Sequence, residues 1–457
     1  MKIRRVLIAN RGEIAVRIIR TCRSLGIETV LTVSEADRDA LPARLADRTV
    51  CVGAARPVDS YLKVETIVQA ALGVGAQAIH PGYGFLSERA ELAQLCEKHR
   101  IAFIGPTAQQ LAVVGDKLAA RAAAEAAGIP VVPGGAVATT AAARQLAERI
   151  GVPLLIKAVG GGGGRGLKLV HAAADLGTAL ELAAAEAGAA FGDPRLYLER
   201  FVSPGRHVEV QVLGDGAGRV IHLGERDCSV QRRYQKILEE TPAPHLEPRL
   251  RQALHASAVR LAASLEYRGA GTVEFLVDAE RGSYYFLEMN ARIQVEHPIT
   301  EVVTGIDLVA EQIAVAQEEG VRLAQEAVRP RGCAMECRIN AEDPARDFQP
   351  SPGTVVRASW PQGEGIRVDT HIASGSRVPP FYDSLLAKII VAGPDRPAVL
   401  RSMQDALART QVVGVATNLD LHAVILADAR FAAGGVDTGF LASLLGGAPS
   451  PRERAHG

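Results

Sequence analysis

Aromatic residues are scarce: Phe, Trp and Tyr supply 4% of the 457 residues, with a single Trp, so Val, Ile, Leu and Ala must fill the interior. An excess of one charge is also lacking. Lys plus Arg number 51 and Asp plus Glu 51, a formal net charge of zero that argues against a polyanion-binding scaffold, nucleic acid included. The six cysteines (Cys22, Cys51, Cys96, Cys228, Cys333 and Cys337) contain no C-x-x-C pair, as expected of reduced thiols in a cytoplasmic protein without structural zinc. No apolar run approaches the ~20 residues needed to span a bilayer. The apolar stretch 6–9 behind Lys2, Arg4 and Arg5 is too short for a secretory signal core. No G-x-G-x-x-G follows the first strand, which argues against a dinucleotide site.

What is present is ordinary globular material, 48% hydrophobic and 22% charged, long enough for about three domains. Residues 4–10 read as a buried strand, 11–26 as a helix and 27–34 as a strand. Helical patterns at 61–73 and 88–99 and strands at 78–80 and 101–104 continue the βαβ alternation, predicting a parallel α/β domain over 1–114. A second region, 115–330, opens with a helix at 117–127. It then changes to alternating strands in pairs: LLIKAV with LKLV, HVEVQVL with RVIHLG, and TVEFLV with YYFLEMN. A third region, 331–447, starts with the strand CAMECRIN, and residues 448–457 read as a polar flexible tail.

Three constellations carry chemistry. The run 160–164 is five glycines between two short strands, with Lys157 on the entering strand. Glycines alone favour a flexible surface linker. A point charge beside side-chain-free backbone suits a nucleotide phosphate, and such a loop can move as a lid. It is no Walker A loop, since no Gly-Lys-Ser/Thr follows.

The second is the hairpin 271–290. A register symmetric about Arg281 sets Glu274 opposite Glu288, with Val273, Phe275, Val277, Tyr285, Leu287 and Met289 on the other face. Opposed like charges repel unless a cation intervenes, and magnesium fits better than calcium or zinc; a solvated polar face is the plainer alternative.

The third is the loop 290–298, where Arg292 and Glu296 could bind a small oxyanion and take its proton, while His297 before proline reads as structural. Arg338, pointing away from Met335, Cys337 and Ile339, would otherwise read as a surface salt bridge. Strand 206–212 sends three valines inward and His207, Glu209 and Gln211 to the other side, and three of only eight lysines (Lys117, Lys157, Lys236) lie beside these segments.

Together, NRGEIA at 10–15, HPGYGFLSE at 80–88, VGDK at 114–117, the Lys157 glycine loop, ERDCS at 225–229, EMNARIQVEH at 288–297 and ECRIN at 336–340 resemble biotin carboxylase over nearly the whole chain. The resemblance implies an α/β and α+β protein: an N-terminal pre-ATP-grasp domain, an ATP-grasp domain with a mobile lid lobe at about 131–203, and a C-terminal biotin carboxylase domain. It places Lys117, Lys157, Gly162, Gly163, Gly164, Glu199, His207, Gln231, Tyr234 and Leu276 around ATP. Glu274, Glu288 and Asn290 would hold two Mg2+ or Mn2+ ions. Lys236, Arg292, Gln294 and Val295 would bind bicarbonate, with Glu296 as general base. Arg338, Tyr83 and Gly84 would meet biotin. Tyr234 departs from the family, where histidine is common, and puts nucleotide contacts there in doubt.

The reaction implied is ATP-dependent carboxylation of biotin through carboxyphosphate. No Ala-Met-Lys-Met segment occurs, so biotin is expected in trans on a carrier protein, with carboxyltransferase subunits as further partners and a homodimer by family analogy. Acetyl-CoA carboxylase, and with it fatty acid biosynthesis, is the expected home. The rival readings are another bicarbonate-dependent ATP-grasp ligase, or an ATP-binding partner protein without turnover.

Overall fold

The structure, a computed structural model, describes residues 2–160, 166–202, 205–278 and 281–446. Gly162, Gly163 and Gly164 of the predicted lid loop and the predicted tail 448–457 lie outside the described residues.

Strands β1 (Arg5–Ile8), β2 (Glu28–Ser34), β3 (Arg48–Gly53), β4 (Ala78–His80) and β5 (Ala102–Phe103) form a parallel sheet in the order β3-β2-β1-β4-β5. Parallel neighbours need crossovers, which the helices Gly12–Ser24, Val64–Val74 and Ala90–Lys98 help to supply. Helices on both faces explain why Val6, Leu7 and Ile8 are all fully buried. Just past β1, Asn10 Nδ2 donates to the carbonyls of Pro81 (2.6 Å) and Tyr83 (2.7 Å), tying the 80–88 loop down. Gly82 there has φ +63°, and a Cβ would sit 2.9 Å from Asn10 Nδ2, so only glycine fits.

The helix Lys117–Ala126 begins at Asp116, whose carboxylate accepts from the backbone N–H of Leu118 (2.9 Å) and Ala119 (3.0 Å). A small lobe follows: β6 (Gly134–Val137), β7 (Leu154–Ala158), β8 (Leu167–Val170) and β9 (Leu196–Arg200), antiparallel in the order β6-β9-β7-β8. Helices Thr140–Ile150 and Leu176–Phe191 close it around its own core, which includes Leu146, Ile156, Leu180 and Leu198.

The largest sheet contains β10 (Arg206–Asp215), β11 (Val220–Arg232), β12 (Gln235–Thr241), β13 (Arg268–Asp278), β14 (Ser283–Asn290), β15 (Cys333–Asn340), β16 (Ile366–Thr370) and β17 (Leu385–Gly393). Its order is β14-β13-β10-β11-β12-β15-β17-β16, antiparallel throughout, so β15 extends the central sheet through β12 instead of starting a separate one. Val208, Val210, Val212, Val273, Phe275 and Val277 pack with Leu250, Leu254 and Leu261 of the helix Pro248–Ser264. The predicted hairpin register holds from Thr272–Asn290 to Glu274–Glu288, then slips by one residue, pairing Phe275 with Phe286. The irregularity at Leu287 swaps faces: Phe286 and Met289 enter the core with Tyr284 against it, and the expected Tyr285 and Leu287 do not.

Buried histidines predict an acid-labile fold. Burial pushes the pKa of His80 down to about 3 and that of His422 to about 4. An unfolded imidazole titrates near about 6.5, so between that pH and about 4 the unfolded chain binds more protons and stability is lost as pH falls, each tenfold loss of proton affinity costing roughly 1.4 kcal/mol. Melting temperature should therefore drop across this window, and less steeply in His422→Gln; an unchanged slope would dismiss this histidine as a cause.

Candidate active site

Strands β11, β10, β13 and β14 set Arg226 opposite Glu209, Glu209 opposite Glu274, and Glu274 opposite Glu288. Three carboxylates thus occupy consecutive places across the sheet, an arrangement that needs cations. Arg226, fully buried, donates to Glu209 Oε1 (2.6 Å), Gln211 Oε1 (2.8 Å) and Thr300 Oγ1 (2.9 Å). From β12, Lys236 Nζ donates to Glu209 Oε2 (2.5 Å), Glu274 Oε1 (2.8 Å) and Glu296 Oε1 (2.8 Å). Glu274 Oε1 also accepts from Asn290 Nδ2 (2.9 Å) and Gln294 Nε2 (2.8 Å), and its Oε2 lies 2.8 Å from His207 Nε2. Burial alone would raise the Glu274 pKa, but Lys236 and His207 bring it well below the usual carboxylate range. Burial also opposes the charge on Lys236, yet Glu209, Glu274 and Glu296 hold its pKa well above the ordinary lysine value.

Glu288 ends the row. Burial and the Glu274 charge push its pKa up against the pull of Lys117, and among the described residues none donates it a hydrogen bond. The sequence assigns relief of the Glu274–Glu288 repulsion to a metal, but here Lys236 and His207 answer Glu274 and leave Glu288 unbalanced. Two carboxylates and the Asn290 amide oxygen, which accepts from Arg292 Nη2 (2.8 Å), form an all-oxygen donor set that fits a hard divalent cation.

The loop after β14 turns back over this row. Arg292 Nε donates to Glu88 Oε2 (3.0 Å), and the Val295 carbonyl accepts from the fully buried Lys388 Nζ (2.8 Å). Glu296 sits at the start of the helix His297–Thr304, where the helix dipole favours an anion. Burial works against its ionisation, but Lys236 and Arg338 hold its pKa far below the ordinary value. Arg338 is no surface salt bridge: Nη2 donates to Glu296 Oε2 (2.8 Å) and Nε to Glu239 Oε1 (2.6 Å), with 16% of the side chain exposed. Tyr83 donates its hydroxyl to Glu13, whose Oε2 lies 3.2 Å from Lys388 Nζ. Beside it, Gly84 has φ +66° with open space where a Cβ would be.

Toward the small lobe, Lys157 pairs with Glu199, which also accepts from Tyr197 OH (3.1 Å). Lys117 faces Glu288, Lys157 and Glu199, and burial lowers its pKa. Gln231 Nε2 lies 2.8 Å from both His207 Nδ1 and the Cys228 carbonyl, and Leu276 is half-buried beside Gly205. Tyr234 stays outside this buried group, 49% exposed at the β11–β12 turn with φ +66°. Exposed substitutions usually stay within about 0.5 kcal/mol, so Tyr234→His should move the ATP KM by no more than about twofold; a tenfold change in a KM assay would place this ring against the nucleotide.

Sequence reasoning misses Glu13, Glu88, Glu209, Arg226, Glu239 and Lys388 as site residues, although Glu13, Glu88 and Arg226 lie inside the quoted motifs. Glu209 carries a signal, the face it shares with His207. Lys388 carries none: it lies in the apolar strand β17, and only the register opposite Arg338 discloses it.

Three family descriptions match: "Biotin carboxylase, N-terminal domain" over residues 2–111, "Carbamoyl-phosphate synthase L chain, ATP binding domain" over 116–325, and "Biotin carboxylase C-terminal domain" over 336–443. The chain is 49% identical over 443 residues to the biotin carboxylase of Nostoc sp., covering 96% of this chain and 99% of that protein. It is 50% identical over 445 residues to that of Pseudomonas aeruginosa, covering 97% and 98%. Among solved structures, it superposes with a TM-score of 0.94 at 45% identity on the biotin carboxylase domain dimer of Hydrogenobacter thermophilus 2-oxoglutarate carboxylase, in complex with MgADP, ADP and bicarbonate, covering 97% and 98%. A biotin carboxylase complex with β,γ-ATP from Campylobacter jejuni gives 0.94 at 44%, covering 97% and 99%.

Proposed function

The chain belongs to the biotin carboxylase family, and from that premise we propose that ATP, bicarbonate and biotin meet around the Glu209–Glu274–Glu288 row. It is an ATP-dependent ligase that carboxylates biotin with bicarbonate. The observation that carries the assignment of roles is Lys236, whose ammonium bridges Glu209, Glu274 and Glu296.

ATP would lie between the small lobe and the large sheet, its phosphates met by Lys117, Lys157, His207 and the lid glycines 162–164, its base by Glu199, Gln231 and Leu276, with Tyr234 standing off at the exposed β11–β12 turn. Glu274, Glu288 and Asn290 would hold two Mg2+ or Mn2+ ions, which screen the triphosphate when bound. Lys236, Arg292, Gln294 and Val295 would bind bicarbonate.

Glu296 accepts the bicarbonate proton as a bicarbonate oxygen attacks the γ-phosphorus and ADP leaves, giving carboxyphosphate. Carboxyphosphate splits to carbon dioxide and phosphate, phosphate takes the ureido N–H proton, and that nitrogen attacks carbon dioxide. Arg338 would stabilise the charge on the ureido oxygen, with Tyr83 and Gly84 beside the ring.

We read the chain as three domains, 1–114, 115–330 and 331–447, the third continuing the large sheet of the second through β15. Biotin would arrive on a separate carrier protein, with a carboxyltransferase as further partner, and acetyl-CoA as final acceptor. A homodimer is in keeping with the dimeric Hydrogenobacter thermophilus domain. No helix among the described residues is long and apolar enough to cross a membrane, which suits a cytoplasmic site of action.

ATP hydrolysis should require bicarbonate and rise on adding free biotin. Hydrolysis indifferent to biotin would point to another bicarbonate-using ligase, and no turnover at all to a binding protein.

A further inference from the structure

Glu239 on β12 and Glu336 on β15 stand directly opposite each other, and both are fully buried. Arg338 satisfies Glu239 Oε1, but Glu239 Oε2 and both oxygens of Glu336 have no hydrogen-bond partner among the described residues. Native interiors rarely orphan polar atoms, and three carboxylate oxygens at one contact call for a physical cause.

Ala334 and Ile390, which neighbour Glu336 in the sheet, pack with Ile299 and Val303 of the helix His297–Thr304, and no donor among the described residues hydrogen-bonds Glu336. The charged groups around the pair are Lys388, Arg338, Glu296 and Lys236. Lys388 is spent on the Val295 carbonyl and Glu13, Lys236 on three other glutamates. Arg338 already serves Glu239 and Glu296. One proton would resolve the conflict: on Glu336 it would supply a hydroxyl donor for Glu239 Oε2, leaving Glu239 ionised for Arg338.

We propose that Glu239 and Glu336 form a carboxyl pair sharing one proton, and that this pair positions the Arg338 guanidinium against Glu296. Burial pushes Glu239 up to about 7 despite Arg338, and pushes Glu336 far above the carboxylate range, in keeping with a proton held on Glu336. Glu239 takes Nε and Glu296 takes Nη2, which leaves Nη1 as the nitrogen of Arg338 without a protein partner among the described residues. That nitrogen is the one available to the ureido oxygen. Glu239 also counters the pull of Arg338 on Glu296, which keeps the general base more basic than Lys236 and Arg338 alone would allow. The proposal rests on the reading of Arg338 given above. Glu239 and Glu336 are positioning residues, since neither touches a reacting atom.

The test pairs infrared spectroscopy with kinetics. At neutral pH the wild-type minus Glu336→Gln difference spectrum should contain a protonated carboxyl C=O stretch; its absence overturns the shared proton. Glu336→Gln keeps a donor toward Glu239 and should retain biotin-dependent turnover within about threefold. Glu239→Gln should lose it about 10- to 100-fold through a misplaced guanidinium, with the ATP KM unchanged. Equal losses in the two variants, or a raised ATP KM, would reduce the pair to a structural role and overturn the proposal. Should Glu239→Gln fail to fold, the infrared band and Glu336→Gln still decide. Lack of biotin stimulation in the wild type would defeat the function assigned above while leaving the infrared result to judge the pair by itself.

Discussion

Replacing Glu288 with glutamine should cut ATP turnover about 100- to 1000-fold while leaving the metal-free protein at least as stable as the wild type. The two effects separate because the two halves of the pair are treated so differently. Glu274 has Lys236, Asn290, Gln294 and His207 around it, and removing its charge would unbalance all four. Glu288 has no such company: its charge is opposed by burial and by Glu274 across the ladder, with only the more distant pull of Lys117 and Lys236 the other way. Opposed like charges cost about 0.2–1 kcal/mol, so the amide should raise the melting temperature slightly. It would, however, remove an anionic ligand from the cation that Glu288 is proposed to hold and that would screen the triphosphate. Differential scanning fluorimetry with and without MgATP distinguishes the effects. The wild type should be stabilised by MgATP, and Glu288→Gln should not respond. Full activity in the variant would remove Glu288 from the metal site.

The same residues mark how far the sequence can be read. Period-two alternation puts Glu274 and Glu288 opposite each other, because a hairpin register near its turn is a local property. It misses the one-residue slip at Leu287, which alternation cannot reveal. Alternation also places Glu209 and Arg338 on polar faces. It cannot show that Glu209 stands beside Glu274 or that Arg338 reaches Glu296, since those contacts join strands far apart in the chain. Nor does a local pattern show that Lys236 also answers the acidic pair, for it approaches from β12, across an intervening strand order that only the folded sheet discloses. Lys388 and Glu336 are the least legible. Lys388 lies in a strand buried along most of its length, where a polar residue follows no periodicity, and Glu336 shares the polar face of Arg338 but gives no sign that Glu239 stands opposite it.

Substituting Arg338 by alanine should lower biotin carboxylation about 100-fold or more, with the ATP KM within about twofold of the wild type. Its donors face Glu239 and Glu296, while Lys117, Lys157 and Glu199, the residues proposed to meet ATP, make their contacts toward the small lobe. The substitution has a structural cost as well. Removing one partner of a buried ion pair costs about 3–5 kcal/mol, less here because Glu296 keeps Lys236. A lower melting temperature is therefore expected, and activity must be measured well below it. Arg338→Lys separates charge from shape. An ammonium is a point charge and cannot fill the guanidinium's fork between Glu239 and Glu296 while leaving a donor for the ureido oxygen. Lysine should therefore recover much of the lost stability and little of the lost carboxylation. If lysine restores both, Arg338 acts through its charge alone. If alanine raises the ATP KM in step with the fall in carboxylation, the residue holds the sheet together and has no particular business with biotin.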